Sequence, residues 1–185
     1  MKRLVLVLFV VLTVAGFYRF YGSEATATGN LTLPGPAPNV GEVAETFEAS
    51  RQDGGSFELS DKGVYVLTFW SVFNRDSIAA RPELAELARE YGDEGVSFAA
   101  VYIGGAPRDS NDVPYAVLLD GQGELTSLYN VTKVPRSFLI EDGEIKLVQN
   151  GFIPGNEEKL EDELAQLLEE RSKEASAIEN KKRRA

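Results

Sequence analysis

The sequence predicts one α/β domain, a mixed sheet with helices on both faces, behind an apolar N-terminal segment. Three observations carry this. Residues 64–70 (VYVLTFW) and 96–103 (VSFAAVYI) are nearly all apolar, β-branched or aromatic, the composition of central strands buried on both faces. The stretch between them, from about Arg75 to Tyr91, places Ala80, Leu84, Leu87, Ala88 and Tyr91 on one helical face. Residues 137–140 and 144–148 flank Glu141-Asp142-Gly143 as a hairpin does, and a helix closes the chain. A βαβ unit joined to a ββα unit gives a mixed sheet with helices on both sides.

The remaining elements follow in order. Lys2 and Arg3 precede an apolar run over 4–18, interrupted only by Thr13 and Gly16. Residues 1–22 therefore read either as a signal peptide cleaved near Ala25-Thr26-Ala27 or as an uncleaved membrane anchor with Tyr18, Phe20 and Tyr21 at headgroup level. Both readings put the rest of the chain on the extracytoplasmic side. Residues 23–40 are rich in Gly, Pro, Thr and Ala and read as a linker. Residues 46–49 and 56–59 are short strands around Asp53-Gly54-Gly55, and Gly92 stands where the first helix should be capped. After a polar loop over 104–114, residues 115–119 are extended and 124–129 form a helical turn. The last helix starts near Asn156, a good N-cap, with Leu160, Leu164, Leu167 and Leu168 as its apolar stripe. The domain spans 41–172, and 173–185 is a charged tail whose basic run 181–184 is a solvated end.

Composition bounds the chemistry. A chain of 185 residues, 43% hydrophobic and 26% charged, suits one globular domain with a short appendage. Its net charge of -10 argues against nucleic acid as a partner, because phosphate binding needs clustered Lys and Arg. The chain contains no Cys and no His. It therefore has no thiolate, no disulfide and no zinc site of the usual kind, and the usual general base near neutral pH is missing. Paired carboxylates such as Asp93-Glu94, Glu157-Glu158 and Glu169-Glu170 lack the spacing of a calcium loop and read as solvated surface. No metal or cofactor is expected.

Ala37-Pro38-Asn39, Phe57-Glu58-Leu59-Ser60-Asp61, Phe69-Trp70-Ser71-Val72-Phe73, Pro82 and Val134-Pro135 before Ser137-Phe138-Leu139-Ile140 together resemble the motifs of the thioredoxin-fold redoxins, the envelope-facing, membrane-anchored thiol–disulfide oxidoreductases of the TlpA/ResA-like family. Ala37-Pro38-Asn39 with Phe57-Glu58-Leu59-Ser60-Asp61 resembles that family's N-terminal β-hairpin. Phe69-Trp70-Ser71-Val72-Phe73 resembles the strand end that leads into its redox motif, and Pro82 falls at its helix proline. Val134-Pro135 before Ser137-Phe138-Leu139-Ile140 resembles its cis-proline loop. The resemblance covers about 36–168 and implies a thioredoxin-like three-layer fold.

The departure is as clear. Where the family carries Cys-x-x-Cys, this chain reads Asn74-Arg75-Asp76-Ser77. No catalytic residue is assigned; Asn74 and Ser77 mark the positions of the missing thiols. Asn is among the best N-caps, so Asn74 has a structural role available. Ser77 has no His to activate it, and the carboxylate of Asp76 is a poor base for an alcohol. What the resemblance leaves intact is a binding groove, lined by Trp70, Phe73, Asn74, Val134 and Pro135, that would accept an extended peptide by strand addition. The expectation is a non-catalytic, membrane-tethered binder of a protein or extended peptide partner. The alternative is an oxidoreductase or antioxidant component acting only with a cysteine-bearing partner.

Overall fold

The computed structural model describes residues 38–105, 107, 112–151 and 157–184. The predicted signal or anchor segment, most of the linker and the predicted Asn156 cap lie outside the described residues. No helix among the described residues is long and apolar enough to cross a membrane.

Among the described residues, seven strands and three α-helices follow one another as β1 (Phe47–Ser50), β2 (Ser56–Leu59), β3 (Val64–Ser71), α1 (Arg75–Tyr91), β4 (Val96–Ile103), β5 (Ala116–Asp120), α2 (Glu124–Leu128), β6 (Arg136–Glu141), β7 (Glu144–Asn150) and α3 (Glu157–Arg184). β1 and β2 form an antiparallel hairpin, and the other five strands form one sheet in the order β5-β4-β3-β6-β7. β3 runs parallel to β4, β4 parallel to β5, and β6 antiparallel to both β3 and β7. The sheet is mixed, as the order of elements predicts.

Alternation along β3 divides the core into two layers. Val64, Val66 and Trp70 pack beneath α1 and α3, against Leu84, Leu87, Leu160 and Leu164. Tyr65, Leu67 and Phe69 face the opposite layer, which the β1–β2 hairpin and α2 cover through Phe57, Leu59 and Tyr129, with Leu125 against its rim. Both long helices therefore share one face, and the other is closed by a hairpin and one short helix. Thr68 is buried among the first set and is satisfied by Ser137, with 3.1 Å between their hydroxyl oxygens.

The structure refines three expectations. Gly92 is the C-cap of α1, as predicted, but it keeps α-helical angles (φ −61°, ψ −39°), and the chain runs on through a 3₁₀ turn to Gly95, which takes φ +88°. The three acidic and glycine residues after Tyr91 suit a tightened last turn, so the reversal comes three residues later. Residues 115–119, read only as extended, supply a third parallel strand, and β5 makes the sheet edge. α3 continues helically through the predicted tail to Arg184, with every residue from 172 onward exposed. Its packed part ends at Arg171, which binds Glu141 and Asp142 of the β6–β7 turn at 3.0 Å each.

Candidate functional site

The site begins where β3 leaves the sheet. Ser71 makes the turn: its hydroxyl accepts from the Phe73 N–H at 3.3 Å and its carbonyl from the Asn74 N–H at 3.1 Å. This is the local closure that serine hydroxyls offer a backbone bend. Asn74 then takes extended angles (φ −103°, ψ 124°) and its side-chain oxygen accepts from the Ser77 N–H at 2.8 Å. That is an N-cap in full, satisfying one of the donors a helix start leaves unpaired.

Ser77 is 1% exposed, and its hydroxyl accepts from the Ser71 N–H at 3.3 Å. Asp76 beside it is exposed. The hydroxyl is thus a buried acceptor that ties the strand end to the helix, a poor place for a nucleophile that must lose a proton and meet a substrate.

The predicted groove residues separate into two groups. Phe73 is 86% exposed, and its ring edge passes 3.6 Å from where a Cβ on Gly104 would stand. Asn74 and Val134 are half-buried, and Val134 packs toward the layer that holds Phe138. Trp70, by contrast, is 1% exposed and lies edge-on to Tyr102 and Tyr115 at 5.7 and 6.0 Å. Trp70 and Pro135 both line a cavity of about 30 Å³ with Thr68, Ala80, Ser137 and Gln149. The Val134–Pro135 bond is cis, as the resemblance implies.

Sequence reasoning passed over two residues here. Ser71 shapes the turn, and its signal was a serine ending an otherwise apolar strand. Arg136 follows Pro135 directly, with its guanidinium 5.1 Å from the Phe138 ring centroid. Its signal was a lone cation opening the run Arg136-Ser137-Phe138-Leu139-Ile140. Burial holds the Arg136 guanidinium below its usual value, and burial first pushes the phenols of Tyr102 and Tyr129 up. Among the described residues no group of acidic side chains is arranged to hold a metal ion.

Comparison with known proteins agrees with this geometry. The AhpC/TSA family matches residues 40–148. The thiol-disulfide oxidoreductase ResA of Geobacillus kaustophilus is 30% identical over 166 residues, 81% of this chain and 88% of that protein. Among solved structures, a chain from Chlorobium tepidum assigned as the thiol:disulfide interchange protein DsbE superposes with a TM-score of 0.62 at 28% identity, over 70% of this chain and 98% of that one. The pneumococcal exposed lipoprotein thioredoxin Etrx1 of Streptococcus pneumoniae superposes at 0.54 with 26% identity, over 68% and 99%. With the fold, the cis-proline bend and the family match in agreement, the chain belongs to the AhpC/TSA family of thioredoxin-fold proteins, similar to thiol-disulfide oxidoreductases but without a cysteine of its own.

Proposed function

We propose that the protein is a non-catalytic thioredoxin-like binder, held on the extracytoplasmic side of a membrane, whose helix start and Val134–Pro135 bend receive an extended segment of a partner protein. The observation that carries this is Phe73. Among the described residues it is the one aromatic left largely in solvent, at 86% exposure, and it stands directly before the Asn74 cap. An exposed aromatic beside a turn fixed by three hydrogen bonds is the anchor a peptide surface needs, large and already ordered. The chemistry that normally occupies such a site needs a thiolate, and this chain has none.

Membrane tethering is supported by the basic start and apolar run of residues 1–22, and by the similarity to an exposed lipoprotein thioredoxin. The partner class is supported by strand addition, which uses backbone hydrogen bonds and tolerates the loss of both sulfurs.

The test uses the full chain in its native membrane with a photo-crosslinking residue at position 73 and, as a control, at exposed Ile178 on α3. A discrete protein adduct is expected from position 73 and not from 178. The same adducts from both positions would remove the site from the proposal. Reduction of insulin disulfides by the purified protein with dithiothreitol, faster than a buffer blank, would remove the claim that it is non-catalytic.

A further inference from the structure

Arg136 has a character that the groove reading leaves unused. Residues 136 and 138 lie on one side of β6 by strand alternation. Phe138 is buried in the layer beneath the hairpin, and Val134 packs at its rim. Arg136 between them is half-buried, its guanidinium stacked over Phe138. Across the ladder it stands opposite Asn150, whose side chain by register shares that face.

A cation taken partly out of water ordinarily finds a carboxylate. Acids are plentiful here, 29 Asp and Glu against 19 Lys and Arg. Arg51, Lys146, Arg171, Lys173 and Arg183 all hold carboxylates within 4 Å, on the open surface where the gain is smallest. Arg136 makes no ion pair among the described residues, although burial lowers its guanidinium below its usual value. The fold has left the one guanidinium beside the bend unneutralised.

We propose that Arg136 is the carboxylate-binding element of the groove, so that the segment received there is acidic and places an Asp or Glu side chain, or a C-terminal carboxylate, against this guanidinium. The proposal rests on the groove reading given above and names the class of peptide that reading requires. A guanidinium offers a planar fork of donors that matches a carboxylate through two parallel bonds. The Phe138 ring holds the fork from one side. Residues two apart on a strand are separated by about 7 Å. A segment bonded to the backbone of Val134 therefore brings a long acidic side chain within reach of Arg136.

The test immobilises the full-length protein in detergent and exposes it to a pooled library of acetylated, amidated octapeptides. Each position is drawn from Ala, Val, Thr, Lys, Gln and Glu, and captured peptides are sequenced by mass spectrometry. Glu should be enriched about tenfold over Gln at one register, the ratio that about 1.4 kcal/mol of discrimination gives. Arg136→Gln should erase that preference, lowering capture of Glu peptides to the level of their Gln counterparts, and Arg136→Lys should restore part of it. A second pool with free C-termini separates the two sources: enrichment independent of internal Glu assigns the site to a terminal carboxylate. Equal capture of Glu and Gln peptides in both pools, with capture still reduced by Phe73→Asp, overturns the role of Arg136 and leaves the groove standing. Capture indifferent to Phe73→Asp overturns the groove reading itself. Circular dichroism of each variant shows that it is folded.

Discussion

Asn74 is the residue on which the site's conversion from chemistry to structure depends, and replacing it gives a measurable cost. In Asn74→Ala the Ser77 N–H loses its 2.8 Å acceptor. Loss of such a cap costs about 0.5–2 kcal/mol. This donor belongs to a residue 1% exposed, so water replaces the lost bond poorly and the upper half of that range applies, about 1.5 kcal/mol. With a urea m-value of about 2 kcal/mol/M, the unfolding midpoint should fall by about 0.7 M. Asn74→Asp keeps an acceptor and adds a negative charge at the helix start, worth about 0.3–1 kcal/mol before repulsion from nearby Asp76 is subtracted. Asn74→Gly should cost only a few tenths of a kcal/mol, because glycine is itself tolerated at this position. The expected order of stability is Asp and Asn together, then Gly, then Ala. If Ala lies within about 0.3 kcal/mol of the parent, or Asp is as unstable as Ala, the capping argument is wrong.

Restoring thiols tests the geometry from the other side. Asn74→Cys with Ser77→Cys should oxidise to a disulfide that leaves no free thiol on titration with Ellman's reagent. By the loop-entropy relation, the oxidised form should be more stable than the reduced one by about 2 kcal/mol; two free thiols in a folded protein would refute the placement. Asp142→Asn probes the tie between α3 and the β6–β7 turn, at a position (φ 46°) that Asn also accepts. The Gly63 N–H and then Arg171 hold the Asp142 carboxyl below its ordinary value of 3.8, so its contribution is present above that value and lost as pH falls through the lowered one. The parent should therefore exceed the variant by less than about 1 kcal/mol at pH 7, the pair being exposed, and the two should converge in acid; a constant difference down to pH 2 would refute it.

Much of the fold was legible because its strongest elements obey one local rule each. The apolar runs of β3 and β4 end where the structure ends them, within a residue, and α1 carries the predicted face with Ala85 and Ser77 added. What the sequence leaves undetermined lies where two local rules compete or a partner is distant. Gly92 carried a cap signal, but the polar residues after it could tighten the helix before the chain reversed, and Gly95 took the positive φ. Residues 115–119 are too short to declare their partner, and their place at the sheet edge is fixed by pairing with β4, a contact between distant parts of the chain. The site was legible as a set of positions through the family motifs. Its hydrogen bonds were not, because Ser71 acts through a turn whose geometry no spacing encodes.

Exposure then divides the five groove residues more sharply than the motifs could. Trp70 is 1% exposed, and Ser77 is equally buried at the other missing-thiol position, so neither offers surface to a partner. Phe73, Asn74 and Val134 do. The two replaced positions are therefore unequal. Asn74 occupies the half-exposed one, where a reacting group would meet its target, while Ser77 holds the turn from inside. The proposed partner segment would contact the first and be indifferent to the second. The same division brings Arg136 forward: it is half-buried, beside the bend, and charged, with its guanidinium over the Phe138 ring. Under the proposed function, a groove built from Phe73, Asn74, Val134 and Arg136 would distinguish partners by one aromatic contact, one strand of backbone and one carboxylate, none of which requires sulfur.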